Sequence, residues 1–301
     1  WHEKRFGIHI RRFGPVTNTI GMLVPTRERP ANFRRFVESV ISTASHPDRI
    51  EVHCYIDQDD AELDAYMAII EDLEKSDGVT FGGGVGNPVG VPGAMNQLGI
   101  ACKTDLLMVS NDDQVYITKE WDIRLDEEAA KFPDGIFVFW FNDSLESERT
   151  CCFPILSQKW GELLLYCSPT MMEHFYCDTW LMDVAARIGR AVYIPDIFVK
   201  HIAAWAGLAP QDATAERTRG ALYEGRINRD ELTYRRLARY RDVDADILRK
   251  ALEPSTYEIA TRRSAGAPLE RPAVDLESGT IHIHLDPNNA YSTHFRTLVA
   301  P

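Results

Sequence analysis

Apolar positions along the first two hundred residues follow two rhythms in turn. Short, nearly continuous apolar runs lie at residues 20–24, 50–56, 79–81, 106–109 and 136–141, each the length of a buried strand. Between them the spacing becomes helical. Phe33, Phe36, Val37, Val40 and Ile41 fall at i, i+3, i+4, i+7 and i+8, and Leu63, Tyr66, Met67, Ile70 and Leu73 repeat the pattern. Residues 92–102 also read as a helix. So do residues 179–189, with Leu181, Val184, Ala185 and Ile188 on one face and Gly189 as the stop. Short apolar runs return at 192–194 and 197–199. Strands alternating with amphipathic helices predict an α/β fold, a mainly parallel sheet covered by helices on both faces. Residues 206–215 read as a linker, and helical spacing then resumes to about Leu252. The last fifty residues contain Pro, Ser and Asn, with one alternating strand at 281–285.

Composition narrows the class. The chain has 301 residues, a net charge of −12 and 45% hydrophobic residues, too apolar for disorder. Its apolar runs are far shorter than the ~20 residues of a membrane span, so no transmembrane segment is expected. No secretory leader pattern opens the chain, which starts at Trp1, as if earlier residues had been removed or left out. The six cysteines form no CxxC pair and read as reduced, mostly buried thiols. A cytoplasmic enzyme is the expectation. Within this acidic chain, residues 217–241 carry eight arginines against Glu224, Asp230 and Glu231. The segment is either a solvated face laced with ion pairs or, through residues such as Arg235 and Arg236, a cover for a diphosphate or polyanionic acceptor.

Acidic residues gather where the strands end. In an open parallel sheet ligands bind outside the carboxyl ends of the strands. Asp57, Asp59 and Asp60 follow the second strand, and Asn111, Asp112 and Asp113 follow the fourth. Two such clusters on one rim repel by about 4 kcal/mol per pair at ~4 Å and an effective dielectric of 20. A hard divalent cation would relieve that repulsion. The plainer alternative is a pair of polar loops and caps. The glycine-rich stretch at 81–88 follows a strand but has Val89 where a dinucleotide fingerprint needs its third glycine. It reads as a loop.

Taken in order, these signals resemble a glycosyltransferase of the GT-A fold, most nearly the large family 2 group. The likeness covers about residues 20–201. It consists of V-P-T-R-E-R-P after the first strand, an acidic cluster after the second and G-A-M-N-Q-L-G-I-A before an apolar strand. N-D-D follows, then C-D-T-W-L-M-D-V-A-A-R-I-G, and finally the histidine of I-F-V-K-H. The resemblance implies that residues 1–205 are the transferase domain and 206–301 a helical extension and tail. It implies a nucleotide-sugar site with Pro25, Thr26 and Arg27 along the nucleotide, Asp57 on base or ribose, and Asp112 on ribose or sugar. It further implies Asp113 and His201 as ligands of Mn²⁺ or Mg²⁺, and Asp178 as the general base of an inverting transfer. Two departures are that Asn111 replaces the first acid of the family's D-x-D and that Cys177 precedes Asp178 where Glu is common.

Each residue also has a plainer role: Asp178 as a helix cap, Asp113 in a turn, His201 packed beyond its strand. Trp160 is either an acceptor platform or core. His282 and His284 share one face of the late strand, too few for a metal site. A UDP-sugar is the donor the resemblance favours. The compatible acceptors are a glycan, a protein, a lipid-linked sugar or a modified nucleic-acid base, and the acidic charge argues against broad duplex binding. The rival readings are a sugar-nucleotide nucleotidyltransferase, which needs a glycine-rich phosphate loop at the first strand, and an inactive nucleotide-sugar-binding protein, which Asn111 keeps open.

Overall fold

The computed structural model describes residues 17–75 and 78–253. The expected strand at 281–285, with His282 and His284, lies outside the described residues.

The first half of the chain runs β1 (Ile20–Thr26), α1 (Pro30–Thr43), β2 (Ile50–Asp57), α2 (Leu63–Glu74), β3 (Thr80–Gly86), α3 (Gly90–Ala101) and β4 (Leu106–Val109). There follow β5 (Gln114–Tyr116), α4 (Trp121–Ala129), β6 (Val138–Asn142), β7 (Ile155–Ser157), α5 (Gln158–Leu164), α6 (Cys177–Arg187) and β8 (Ala191–His201). Three helices complete the described chain, α7 (Ala213–Arg219), α8 (Tyr223–Arg236) and α9 (Ala238–Leu252). The strands form one sheet in the order β3-β2-β1-β4-β7-β6-β8-β5. The β1–β2, β1–β4, β2–β3 and β6–β8 pairs are parallel, whereas β7 pairs antiparallel with both β4 and β6, and β5 with β8.

Apolar clusters cover both faces of this mixed sheet. One gathers α1, α2 and α4 around Phe33, Phe36, Val37, Val40, Tyr66 and Trp121. The other gathers α3, α5, α6 and α9 around Leu98, Trp160, Trp180, Leu181, Val184 and Leu248. Trp160 is fully buried and belongs to this core rather than to an acceptor platform. On α2 only Tyr66 and Leu73 are buried, and Met67 stays half exposed. The two short runs at 192–199 are one strand, β8, whose register against β6 shifts after Phe141.

The glycine-rich stretch is also strand rather than loop. Packing, not a phosphate, explains its composition. A Cβ at Gly83 would lie 2.1 Å from the Cys54 carbonyl oxygen, and one at Gly86 2.2 Å from the Tyr55 hydroxyl. Gly83 also sits at φ +96°, where other residues are strained. The linker at 206–215 is short. Asp212 ends it by accepting the Ala215 N–H at 2.7 Å, a side-chain cap that starts α7.

Candidate active site

The parallel strands β1, β2 and β4 end at the same rim, where they deliver Thr26, Asp57 and the Asn111–Asp113 turn. Strand β8 brings His201 to that turn through register. It pairs with β5 so that His201 faces Gln114, and the Ile202 N–H donates to the Asp113 carbonyl at 2.8 Å. Residues 88 positions apart in sequence are thereby neighbours. Together these elements wall a cleft of about 400 Å³. Pro25, Thr26, Arg27, Asp57, Asp112, Asp113 and His201 all line it, joined by Arg217, Arg219 and Arg226 from the far side.

The two acidic clusters do not face each other bare, because arginines separate them. Arg27 donates to Asp57 at 2.7 Å and Asp59 at 2.6 Å. Arg29 holds Asp212 with two parallel hydrogen bonds of 2.7 Å and reaches Asp112 at 3.4 Å, the planar two-pronged contact that guanidinium favours. Both arginines are held above their ordinary range. For Arg27 the hydrogen bonds to Asp59 and Asp57 are the cause; for Arg29 burial would lower it, but the hydrogen bonds to Asp212 and the charge of Asp112 outweigh that. Asp60 serves the loop instead, accepting the Glu28 N–H at 2.8 Å. That bond supports Glu28 at φ 56°, an uncommon conformation for this residue.

Asp112 is buried, and its oxygens are turned to protein. The Arg29 N–H donates to the Tyr66 hydroxyl at 2.7 Å, Tyr66 meets Thr26 at 2.8 Å, and the Thr26 hydroxyl donates to Asp112 at 2.7 Å. An amide that only donates starts the relay and a carboxylate that only accepts ends it, so its direction is fixed. Burial and the adjacent Asp113 push the Asp112 carboxyl upward despite Arg29 and Thr26.

Asp113 differs. Its Oδ1 is buried without a hydrogen-bond partner among the described residues, and its Oδ2 stands 3.5 Å from His201 Nε2. On the other side of the imidazole, Nδ1 lies 3.6 Å from Asp143 Oδ2. Burial alone would lower this histidine, but Asp113 and Asp143 outweigh it and hold the ring up to about 9. Asp143 ends β6. Its Oδ1 accepts the N–H groups of Leu145, Glu146 and Ser147 at 3.2, 2.9 and 2.6 Å. Burial would raise its carboxyl, yet His201 and these amides hold it down to about 2. One unsatisfied carboxylate oxygen beside an imidazole backed by a second carboxylate suits a divalent cation of the Mn²⁺ or Mg²⁺ kind. The residues present fit such an ion, and Asp113 and His201 could hold it.

Asp178 stands beside the cleft rather than in its lining, facing the β6–β7 connection near Glu146 and Cys152. Helix α6 begins two residues earlier than the sequence suggests, so Asp178 lies inside the first turn and is not its cap. Tyr176 takes the cap position at φ 65°. The Asp178 carboxylate accepts its neighbour Thr179's N–H at 2.6 Å. Burial nevertheless pushes it up to about 6, against the Thr179 hydrogen bonds.

The arginine-rich segment divides by position. Arg217, Arg219 and Arg226 line the cleft, whereas Arg235 pairs with Glu231 on the outer face of α8 and Arg241 is buried over Trp180 and Tyr234. Arg235 and Arg236 therefore do not cover the cleft. Arg219 lies over the rings of Trp205, Tyr223 and Phe175 at 4.9, 5.3 and 5.4 Å, near enough for cation–π attraction. Asp230 of α8 accepts the N–H groups of Glu173, His174 and Phe175 at 2.8–2.9 Å, which fixes the loop before α6. Sequence reasoning missed Arg29, Asp143, Trp205 and Asp212. Of these only Arg29 had a signal, its place in the T-R-E-R-P run.

No family model and no curated protein sequence matches the chain. Solved structures do. The mannosyltransferase PcManGT from Pyrobaculum calidifontis, in complex with GDP-Man and Mn²⁺, is 14% identical with a TM-score of 0.52, over 83% of this chain and 76% of that one. TarS of S. aureus is 11% identical with a TM-score of 0.47, over 60% of this chain and 36% of that one. Its 1-349 fragment in complex with UDP is 12% identical at 0.46, over 60% and 59%. The mannosyltransferase likeness sets the architecture: the chain has a GT-A-like glycosyltransferase fold.

Proposed function

We propose that this chain transfers a sugar from a nucleoside-diphosphate donor to an acceptor hydroxyl, with a divalent ion and with inversion. The observation that carries the reading is the Asp113–His201 pair, with its unsatisfied oxygen, in one cleft with three arginines. Arg217, Arg219 and Arg226 bind the diphosphate, and Pro25, Thr26, Arg27 and Asp57 frame the nucleoside. Asp112, locked by Thr26 and Arg29, holds the Asn111–Asp113 turn in place beside the ribose or sugar. Asp113 and His201 would hold Mn²⁺ or Mg²⁺, which when bound supplies a Lewis acid against the charge developing on the departing diphosphate. Asp143 orients the His201 ring. Asp178, raised to about 6, accepts the proton of the attacking hydroxyl, a role worth ~10²–10⁴-fold in rate.

A UDP-sugar is the donor that the sequence resemblance favours, and the GDP-Man in the mannosyltransferase complex makes GDP-sugars the first comparison. The acceptor is a glycan, a protein, a lipid-linked sugar or a modified base. No described helix is long and apolar enough to cross a membrane. The segment after β1, Thr26 to Pro30, holds no glycine, which speaks against the glycine-rich phosphate loop that a nucleotidyltransferase would need there. Isothermal titration of UDP, GDP and their sugars, with and without Mn²⁺, tests the reading. Binding that needs Mn²⁺ is expected. Absence of binding to any of them under either condition would overturn it. An NMR measurement of the product's anomeric configuration then tests inversion, and retention would remove the base role from Asp178.

A further inference from the structure

The opposite rim of the sheet carries a second group of metal-binding side chains that the transfer reaction does not use. Glu51 and His53 stand two residues apart on β2 and so project to the same face, toward α3. Cys102 follows the last residue of α3. One ligand atom from each of the three lies within 4.8 Å of the others. His53 Nε2 is 2.8 Å from the Glu51 carboxylate. His53 Nδ1 is buried with no hydrogen-bond partner among the described residues, on a side chain only 9% exposed. Cys102 is fully buried.

The neighbouring strands leave room for this group. A Cβ at Gly21 of β1 would lie 2.1 Å from the Cys102 sulfur. One at Gly82 of β3 would lie 2.7 Å from His53 Cε1 and Nδ1. Glycine on both flanks allows the three side chains to converge. Their protonation is linked as well. Burial would raise the Cys102 thiol, but His53 and Thr104 outweigh it and hold it low. Burial would lower the His53 ring, but Cys102 and Glu51 hold it high. Zinc would take this thiol in its deprotonated form.

We propose that Glu51, His53 and Cys102 form a zinc site of three protein ligands, with the fourth position open, between the start of β2 and the α3–β4 connection. Thiolate, imidazole and carboxylate are zinc's donor set, with bonds of about 2.0–2.3 Å. A thiolate ligand also separates this site from the hard ions of the cleft. On β2 the nearest members of the two sites, His53 and Asp57, are four residues apart, roughly 13 Å at ~3.3 Å per strand residue. The inference therefore stands without the transferase reading.

The test uses the full chain, stripped of metal with a chelator and titrated with Co²⁺ and then Zn²⁺. A thiolate-to-cobalt charge-transfer band that saturates at one equivalent is expected, with loss of the band on adding zinc. The band should vanish in Cys102→Ser and persist in Asp113→Ala, the cleft variant. Glu51 is half-buried, and Glu51→Gln is expected to weaken zinc at least ~10-fold, as loss of even an outer partner does. A wild-type chain without the band, a band that survives Cys102→Ser, or an unchanged zinc affinity in Glu51→Gln would each overturn the site.

Discussion

Two arginine–carboxylate clusters of similar make-up serve this fold differently. In the first, Arg49 joins Asp122 and Asp126, and every carboxylate oxygen is engaged. Asp122 accepts the Ser45 and His46 N–H groups at 2.8 and 3.0 Å as well as Arg49 at 2.9 Å. Asp126 accepts two bonds from Asn18 besides Arg49. In the second, Arg29 joins Asp112 and Asp212, but the adjoining Asp113 retains an oxygen with no partner among the described residues. Buried carboxylates spent on backbone amides close a structure. A carboxylate oxygen left without such a partner, as at Asp113, is free to take a ligand.

That contrast breaks most visibly in stability. Asp122→Ala takes one of two carboxylates from Arg49 and leaves the Ser45 and His46 N–H groups without their acceptor, and is expected to cost about 3–5 kcal/mol. Denaturant unfolding measures it. Asp113→Ala removes a charge that repels Asp112, so its unfolding midpoint should equal or exceed that of the unaltered chain. Mn²⁺-dependent donor binding should nonetheless be abolished in calorimetry. Equal destabilisation in the two variants would erase the distinction.

A smaller effect separates chemistry from binding. Asp178→Asn is expected to lower turnover by ~10² or more with donor affinity nearly unchanged. The base works ionised, and its carboxyl is raised to about 6. Turnover of the unaltered enzyme should therefore climb as pH rises through about 6, and that limb should be missing in the variant. His201→Ala should act more weakly still, raising the Mn²⁺ concentration needed while activity recovers at saturating metal. Equal loss at limiting and saturating metal would exclude ligation. The mildest contrast lies within the arginine segment. Paired Arg217→Ala and Arg226→Ala should weaken donor binding and flatten its salt dependence. Paired Arg235→Ala and Arg236→Ala should stay within about 0.5 kcal/mol of the unaltered chain in stability, with an unchanged salt slope.

Much of this was readable from order along the chain. Apolar runs located the parallel strands, and with parallel strands the rim carrying Thr26, Asp57 and Asp113 follows from polarity alone. His201 was singled out only through the family resemblance, as the histidine after the apolar run at 197–199. What stayed hidden depends on pairing across distance. Arg29 meets Asp212 across 183 positions, and Asp143 matters only because β6 lies beside β8. The glycine stretch misled because its reason lies in the neighbouring strand, where the Cys54 carbonyl and Tyr55 hydroxyl leave no room for side chains. The start of α6 was misplaced because Tyr176 takes a positive φ, which periodicity does not reveal.

The same glycine strand also shapes one margin of the sheet among the described residues. β3 is one margin of the sheet and β5, three residues long, is the other. An exposed margin offers unpaired amides and carbonyls to any second strand, the route to edge-to-edge assembly. A three-residue margin gives little to pair with, and a glycine-rich one gives up more conformational freedom when it is held straight. At Gly84 a side chain would meet nothing within 4 Å. What glycine supplies at that position is therefore not space but reluctance, a margin that pairs inward with β2 and recruits poorly outward.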